Sequence, residues 1–225
     1  METREYAPGR RVDLFGEPGQ PTVLLWHGMQ TDSRTAVRPL AERIAGRGRF
    51  VLAPDWNSHA DDRGRSDLLA SAHFAAERAG GEGSLTVVGW SLGGTAAAGL
   101  TLGSDRYGVA VARTVTLGGA FTAPDPLSDG PLLDLARGAD PIPLLLLHGA
   151  ADDVVPATAS RDFAEALRGS GWPAQFVEIT ADHGDIAGAR YDATADRYEP
   201  AGDPAALSVA DSVAARIVGG VAPTT

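Results

Sequence analysis

The chain contains no cysteine. Disulfides, thiolate metal centres and cysteine nucleophiles are thereby excluded. Positive charge is also scarce, with 19 Lys and Arg against 29 Asp and Glu and a formal net charge of −10. A surface of that sign repels nucleic-acid backbones and anionic membranes, so neither is expected as a partner. No run of eighteen or more apolar residues exists, so no segment reads as a membrane span. The opening stretch METREYAPGRRVDLFGEPGQ has no apolar signal core, which gives the expectation of a cytoplasmic protein. No Gly-x-Gly-x-x-Gly follows the first strand, and GWSLGGT lacks the lysine of a phosphate-binding loop. Asp55, His59, Asp61 and Asp62 cluster in sequence, but their spacing fits no ligand pattern. Neither a metal nor a cofactor is therefore expected. The composition carries no signal of oligomeric state.

What is present is a regular alternation. Of 225 residues, 44% are hydrophobic, enough for one sizeable core, and residues 1–225 read as a single domain. TVLLW (22–26), FVLAP (50–54), LTVVGW (85–90), RTVTLGG (113–119), PLLLLHG (143–149) and AQFVEI (174–179) read as buried strands. They lack polar alternation, as strands of a sheet covered on both faces do. Helical patterns lie between them. Ser66 is the expected cap of a helix running to about Ala79 and stopped by Gly80 and Gly81. Residues 158–168 place Phe163, Ala166 and Leu167 on one side. A last helix opens with Asp203 as cap and Pro204 in its first turn, carries Leu207, Ala210, Ala214 and Ile217, and stops at Gly219 and Gly220. Strand then helix, repeated, predicts an α/β fold: a mostly parallel central sheet with helices on both faces. EYAP and RVDLFGE predict an antiparallel pair at one edge, and residues 122–142 and 184–203 read as long loops.

Within this alternation, Gly89-Trp90-Ser91-Leu92-Gly93 ends a strand and opens a helix. A sharp turn there lifts the Ser91 hydroxyl into the open, and side chains at 89 or 93 would collide with neighbouring backbone. The helix N-terminus behind it supplies free N–H groups and positive potential.

This pattern resembles the α/β-hydrolase family, whose chain order is nucleophile, acid, histidine. LLLLHGAADDVVP (144–156) looks like the family's acid loop, with Asp152 aligned with the acid. Asp153 is the rival, and strand register favours Asp152. His183, in ITADHGDI (179–186), is the only histidine after it. The resemblance spans residues 20–218 and implies Ser91 as nucleophile, His183 as general base and Asp152 as the carboxylate that orients it. The loop after the first buried strand, LLWHGMQTDS (24–33), is implied to give one backbone oxyanion donor, Met29 first and Gln30 second; Leu92 gives the other.

Other polar residues have blander readings. His27 and His148 precede glycines at strand ends and read as loop-fixing hydrogen bonders; His73 reads as structural. Asp182 and Asp185 read as turn formers. Trp90 is expected under the serine turn, while Trp26 and Trp56 fit either a pocket wall or the core. His59, Gln30, Arg190 and Tyr191 are the candidate substrate contacts.

The interval 120–142 allows one short helix near Leu132 and no full cap domain, so the resemblance is to compact dienelactone-hydrolase-like esterases. Serine stands at 91 where dienelactone hydrolases proper carry cysteine, so their substrate is not carried over. The expected activity is hydrolysis of a small-molecule carboxylic ester or thioester through an acyl-serine. Two alternatives stay open: a non-hydrolytic use of the same triad, by carboxylate elimination or acyl transfer, and a non-catalytic binding module.

Overall fold

The structure, a computed structural model, describes residues 1–80 and 85–219. Its strands are β1 (Glu2–Ala7), β2 (Arg10–Phe15), β3 (Thr22–Trp26), β4 (Phe50–Pro54), β5 (Leu85–Trp90), β6 (Val111–Leu117), β7 (Leu144–Gly149) and β8 (Ala174–Ile179). They form one sheet in the order β1-β2-β4-β3-β5-β6-β7-β8. The strands from β4 through β8 pair in parallel, whereas β1 and β2 are antiparallel at one edge. A separate hairpin pairs β9 (Ala189–Asp192) with β10 (Arg197–Pro200).

The helices are α1 (Arg38–Ala45), α2 (Arg65–Ala76), α3 (Leu92–Leu102), α4 (Ser104–Tyr107), α5 (Leu132–Leu135), α6 (Ala157–Gly169) and α7 (Pro204–Gly219). They cover both faces of the sheet, which is why its strands carry so little polar alternation. In β3, Val23 and Leu25 pack with Leu40 and Ile44 of α1 and Val213 and Ile217 of α7. Leu24 and Trp26, alternating with them, pack with Leu68 and Ala72 of α2 and Leu100 of α3. Near the far edge, Leu144 and Leu146 of β7 meet Phe163 and Leu167 of α6. Burying one such leucine contributes about 1.5–3 kcal/mol. Between β6 and β7 stands only the four-residue α5, so no cap domain interrupts the sheet.

Four local expectations need correction. Ser66 does not cap α2: the preceding Gly64 takes φ 83°, and the Asp62 carboxylate accepts the Gly64 and Ser66 amides instead. That helix also ends earlier, at Ala76; the proposed stop at Gly81, like the one at Gly220, lies outside the described residues. The buried stripe of α6 runs through Phe163, Ala164 and Leu167, with Ala166 only partly covered. Most consequentially, residues 184–203 are not an irregular loop. A single 3-10 turn, Asp185–Ala187, leads into the β9–β10 hairpin. The last helix starts as expected, with Asp203 accepting the Ala206 amide at 3.0 Å.

Candidate active site

Parallel strands place all their C-terminal ends along one edge of the sheet, and the loops there converge. Ser91 follows β5, Gly118 follows β6, Asp152 lies just beyond β7, His183 beyond β8 and Met29 beyond β3.

Ser91 occupies φ 55° and ψ −121°, a left-handed backbone that a side chain rarely adopts. The turn is held from several directions. The Ser91 amide donates to the Leu117 carbonyl at 2.9 Å, and the Ser91 carbonyl accepts the Gly94 amide at 2.9 Å and the Ala120 amide at 3.1 Å. Crowding explains the flanking glycines. A Cβ on Gly89 would run into the Gly93 carbonyl, and one on Gly93 into the His27 carbonyl. Gly28 is pressed against the same turn; a Cβ there would lie 3.1 Å from the Ser91 Cβ. The loop after β3 thus touches the serine turn, and Leu92 opens α3 with an amide that has no intrahelical partner. Among the described residues, no hydrogen bond engages the Ser91 hydroxyl.

His183 Nδ1 lies 2.7 Å from Asp152 Oδ2, and both side chains are buried. The other carboxylate oxygen, Oδ1, accepts the amides of Val154 at 3.0 Å and Val155 at 2.8 Å. Burial pushes the Asp152 carboxyl upward, but donation from His148, His183 and the Val155 amide outweighs it and holds the group well below the usual carboxylate range. Asp153, the rival in sequence, is exposed at the rim of the cavity that His183 lines and makes no hydrogen bond to His183.

Trp90 and Gly118 bring the serine turn and the histidine together. The Trp90 indole donates to the His183 carbonyl at 2.8 Å, and its ring lies 5.3 Å from the imidazole. Gly118, at φ 53°, leaves room where a Cβ would stand 3.0 Å from Asp152 Oδ2 and 3.3 Å from His183 Nδ1. Neither contact was legible in the sequence, although the adjacency of Trp90 to Ser91 was the available signal.

The remaining candidates separate. Gln30 has its side-chain amide engaged by Ser33 and by the backbone of Tyr198 in β10. Arg190 faces Asp203 at 2.7 Å, Asp185 at 3.4 Å and Asp182 at 3.9 Å, so its charge is already matched. Tyr191 is half-exposed and, with Val154, Asp182, His183, Arg190 and Tyr198, lines a cavity of about 520 Å³. Burial, reinforced by Asp153, Asp182 and Asp152, pushes the Tyr198 hydroxyl up to about 12. A second hollow, about 440 Å³, opens between Phe121, Leu132, Leu133 and Phe163. A cleft of about 530 Å³ at the N-terminal edge, among Met1, Arg4, Phe50 and Arg78, holds none of these groups. His59 is exposed on the loop after β4 and lines none of the three.

His27 and two of the tryptophans have structural partners, whereas His73 is exposed on α2. His27 accepts the Ser33 and Trp56 amides on Nε2, each at 3.2 Å. Trp26 and Trp56 belong to the core rather than a pocket wall; their indoles donate to Ser71 Oγ at 3.0 Å and to the His27 carbonyl at 3.1 Å. Asp55 is buried against Arg34, and Asp182 caps the turn at Gly184 and Asp185.

No family model matches this sequence, and no curated protein sequence does. Solved structures do match. Esterase 2 of the planctomycete Thermogutta terrifontis with butyrate bound is 20% identical, covering 100% of this chain and 96% of that one at a TM-score of 0.67. The fold is that of the α/β-hydrolases. The same esterase phosphonylated by cyclosarin aligns at 18% identity over 95% of this chain and 91% of the other, with a TM-score of 0.71. Its propionate-bound form gives 19% identity, 82% and 85% coverage, and a TM-score of 0.67. Within the α/β-hydrolase architecture, the edge carrying Ser91, Asp152 and His183 is where ligands of open α/β sheets bind. Among the described residues, no helix is long and apolar enough to cross a membrane.

Proposed function

We propose that the chain is a serine hydrolase that cleaves a carboxylic ester or thioester of a small molecule. The observation that carries this reading is the buried Asp152–His183 pair, 2.7 Å apart, joined through the Trp90 indole to a strained strand-to-helix turn that carries Ser91. The Ser91 hydroxyl adds to the substrate carbonyl carbon while His183 Nε2 takes its proton. Asp152 holds Nδ1–H, sets the tautomer and offsets the positive charge that forms. The backbone amides of Met29 and Leu92 are the oxyanion donors, placed by the loop after β3 and the start of α3. Collapse of the tetrahedral adduct expels the alcohol or thiol with the proton from His183, leaving acyl-Ser91. Water, deprotonated by His183, then releases the acid and restores the serine.

Hydrolysis is favoured over elimination or acyl transfer because the site is open. Ser91 is only partly covered, and Tyr191 at the cavity rim is 48% exposed. Water therefore reaches the acyl intermediate. Short acyl esters are the first substrates to try, since the esterase of similar fold is known with propionate and butyrate bound.

A fluorophosphonate probe should label the chain once, and Ser91→Ala should abolish labelling. Turnover of p-nitrophenyl butyrate should release one equivalent of free acid in a pH-stat. Labelling without acid release would move the assignment to a non-hydrolytic reaction. An unlabelled wild type would leave a binding module.

A further inference from the structure

We propose that His148 is a positioning residue that holds the Asp152 carboxylate in place for His183. The proposal rests on the reading of Ser91, His183 and Asp152 as nucleophile, base and acid. His148 is fully buried near the end of β7, four residues before Asp152, and its Nε2 lies 3.3 Å from Asp152 Oδ2. The same nitrogen lies 2.9 Å from the Val155 carbonyl, and Nδ1 lies 2.7 Å from Ser160 Oγ on α6.

These partners assign the ring. A carbonyl oxygen only accepts, so Nε2 carries a hydrogen. That hydrogen points at the Val155 carbonyl, 2.9 Å from Nε2, and Asp152 Oδ2, which receives Nδ1–H of His183 at 2.7 Å, stands 3.3 Å from the same nitrogen. Oδ2 is therefore held between two imidazoles while Oδ1 is held by the Val154 and Val155 amides. Every direction in which the carboxylate could rotate loses a donor.

His148 itself cannot touch substrate, because it has no exposed surface. Nδ1 connects β7 to α6 through Ser160, and Nε2 connects it to the acid loop at the Val155 carbonyl. The acid loop AADDVVP (150–156) has no regular secondary structure to fix Asp152; a ring anchored at the strand end does so. The carboxylate is thus pre-set before substrate arrives, as orientation-dependent catalysis requires.

The test measures kcat and KM on p-nitrophenyl butyrate, with active sites counted by fluorophosphonate titration. His148→Leu keeps the volume and removes both hydrogen bonds. It should lower kcat per titrated site about 10- to 100-fold, the worth of one hydrogen bond to a charged group, with little change in KM. His148→Gln returns an N–H near the Nε2 position and should recover much of the loss. Ser160→Ala, which releases the ring from α6 without emptying the core, should show a smaller fall of the same kind and serves if His148→Leu does not fold. Wild-type kcat per site in His148→Leu, or in Ser160→Ala where only that variant folds, overturns the positioning role while leaving Ser91 labelling intact. A wild type that is never labelled overturns the underlying reading and this proposal with it.

Discussion

Gln30 and Tyr198 exchange two hydrogen bonds across 168 residues of sequence. The Tyr198 amide donates to Gln30 Oε1 at 2.5 Å, and Gln30 Nε2 donates to the Tyr198 carbonyl at 3.3 Å. A side-chain amide here imitates a neighbouring strand. It ties the loop proposed to carry the Met29 oxyanion donor to the hairpin that walls the cavity. Gln30→Leu removes the tie without removing the proposed donor itself. Its stability should fall by about 1 kcal/mol, and kcat should fall about tenfold as the loop loosens. Urea unfolding and steady-state kinetics check both; an unchanged kcat would show that the loop holds its own shape.

Gly118→Ala tests how tightly the acid and base are packed. The substitution places a methyl group 3.0 Å from Asp152 Oδ2 on a backbone at φ 53°. The Asp152–His183 pair must shift, and misplacement by a fraction of an ångström to one ångström costs up to about 100-fold in rate. Circular dichroism should stay native while kcat drops. Full activity in Gly118→Ala would mean that the pair has slack.

Asp152→Asn and Asp153→Asn separate the two candidate acids. Asp152→Asn should reduce kcat/KM on the order of 10⁴-fold, because the charge and the tautomer control go together. Asp153→Asn should leave it near wild type. Because Asp152 is held below the ordinary carboxylate range, its stabilising contribution is complete above about pH 4 and is lost only as pH falls further. Any decline in activity between pH 7 and 5 therefore belongs to another group.

His27 gives a stability signal in a different window. Burial pushes its imidazole down to about 3, from 6.5. The hydrogen bonds agree with that direction, since Nε2 already accepts two amides. Between those values the unfolded chain binds a proton that the folded chain refuses, so stability rises with pH. Urea unfolding should show stability falling as pH drops from about 6.5 toward 4.5. His27→Gln, which offers a carbonyl oxygen near the Nε2 position, should flatten that slope by up to one proton. An equal slope in the variant would assign the effect elsewhere.

The sheet and the serine turn were legible because their signals are local. Apolar runs of five or six residues mark the strands, and Gly89 and Gly93 record crowding within one turn. The pairing of Asp152 with His183 was implied by the resemblance to the α/β-hydrolases and their order of nucleophile, acid and histidine. The β9–β10 hairpin was hidden because its four-residue strands, ARYD and RYEP, are largely polar and bury only Ala189 fully. Its turn also lacks glycine: Asp196 takes the left-handed backbone at φ 50°, and Asp192 accepts the Thr194 and Ala195 amides. The cap of α2 was misread because Asp62 and Ser66 both suit the position, and only the bend at Gly64 chooses between them. The bonds of Gln30 to Tyr198 and of Trp90 to His183 join segments that no spacing rule connects.

Ser91 holds a backbone geometry that glycine would enter freely, and for a residue with a Cβ that costs about 1–3 kcal/mol. Ser91→Gly erases the hydroxyl and the steric burden in one exchange. The inert protein should therefore survive heating better than its parent. Durability and chemistry compete for this one position, and selection for thermal endurance alone would discard the proposed nucleophile.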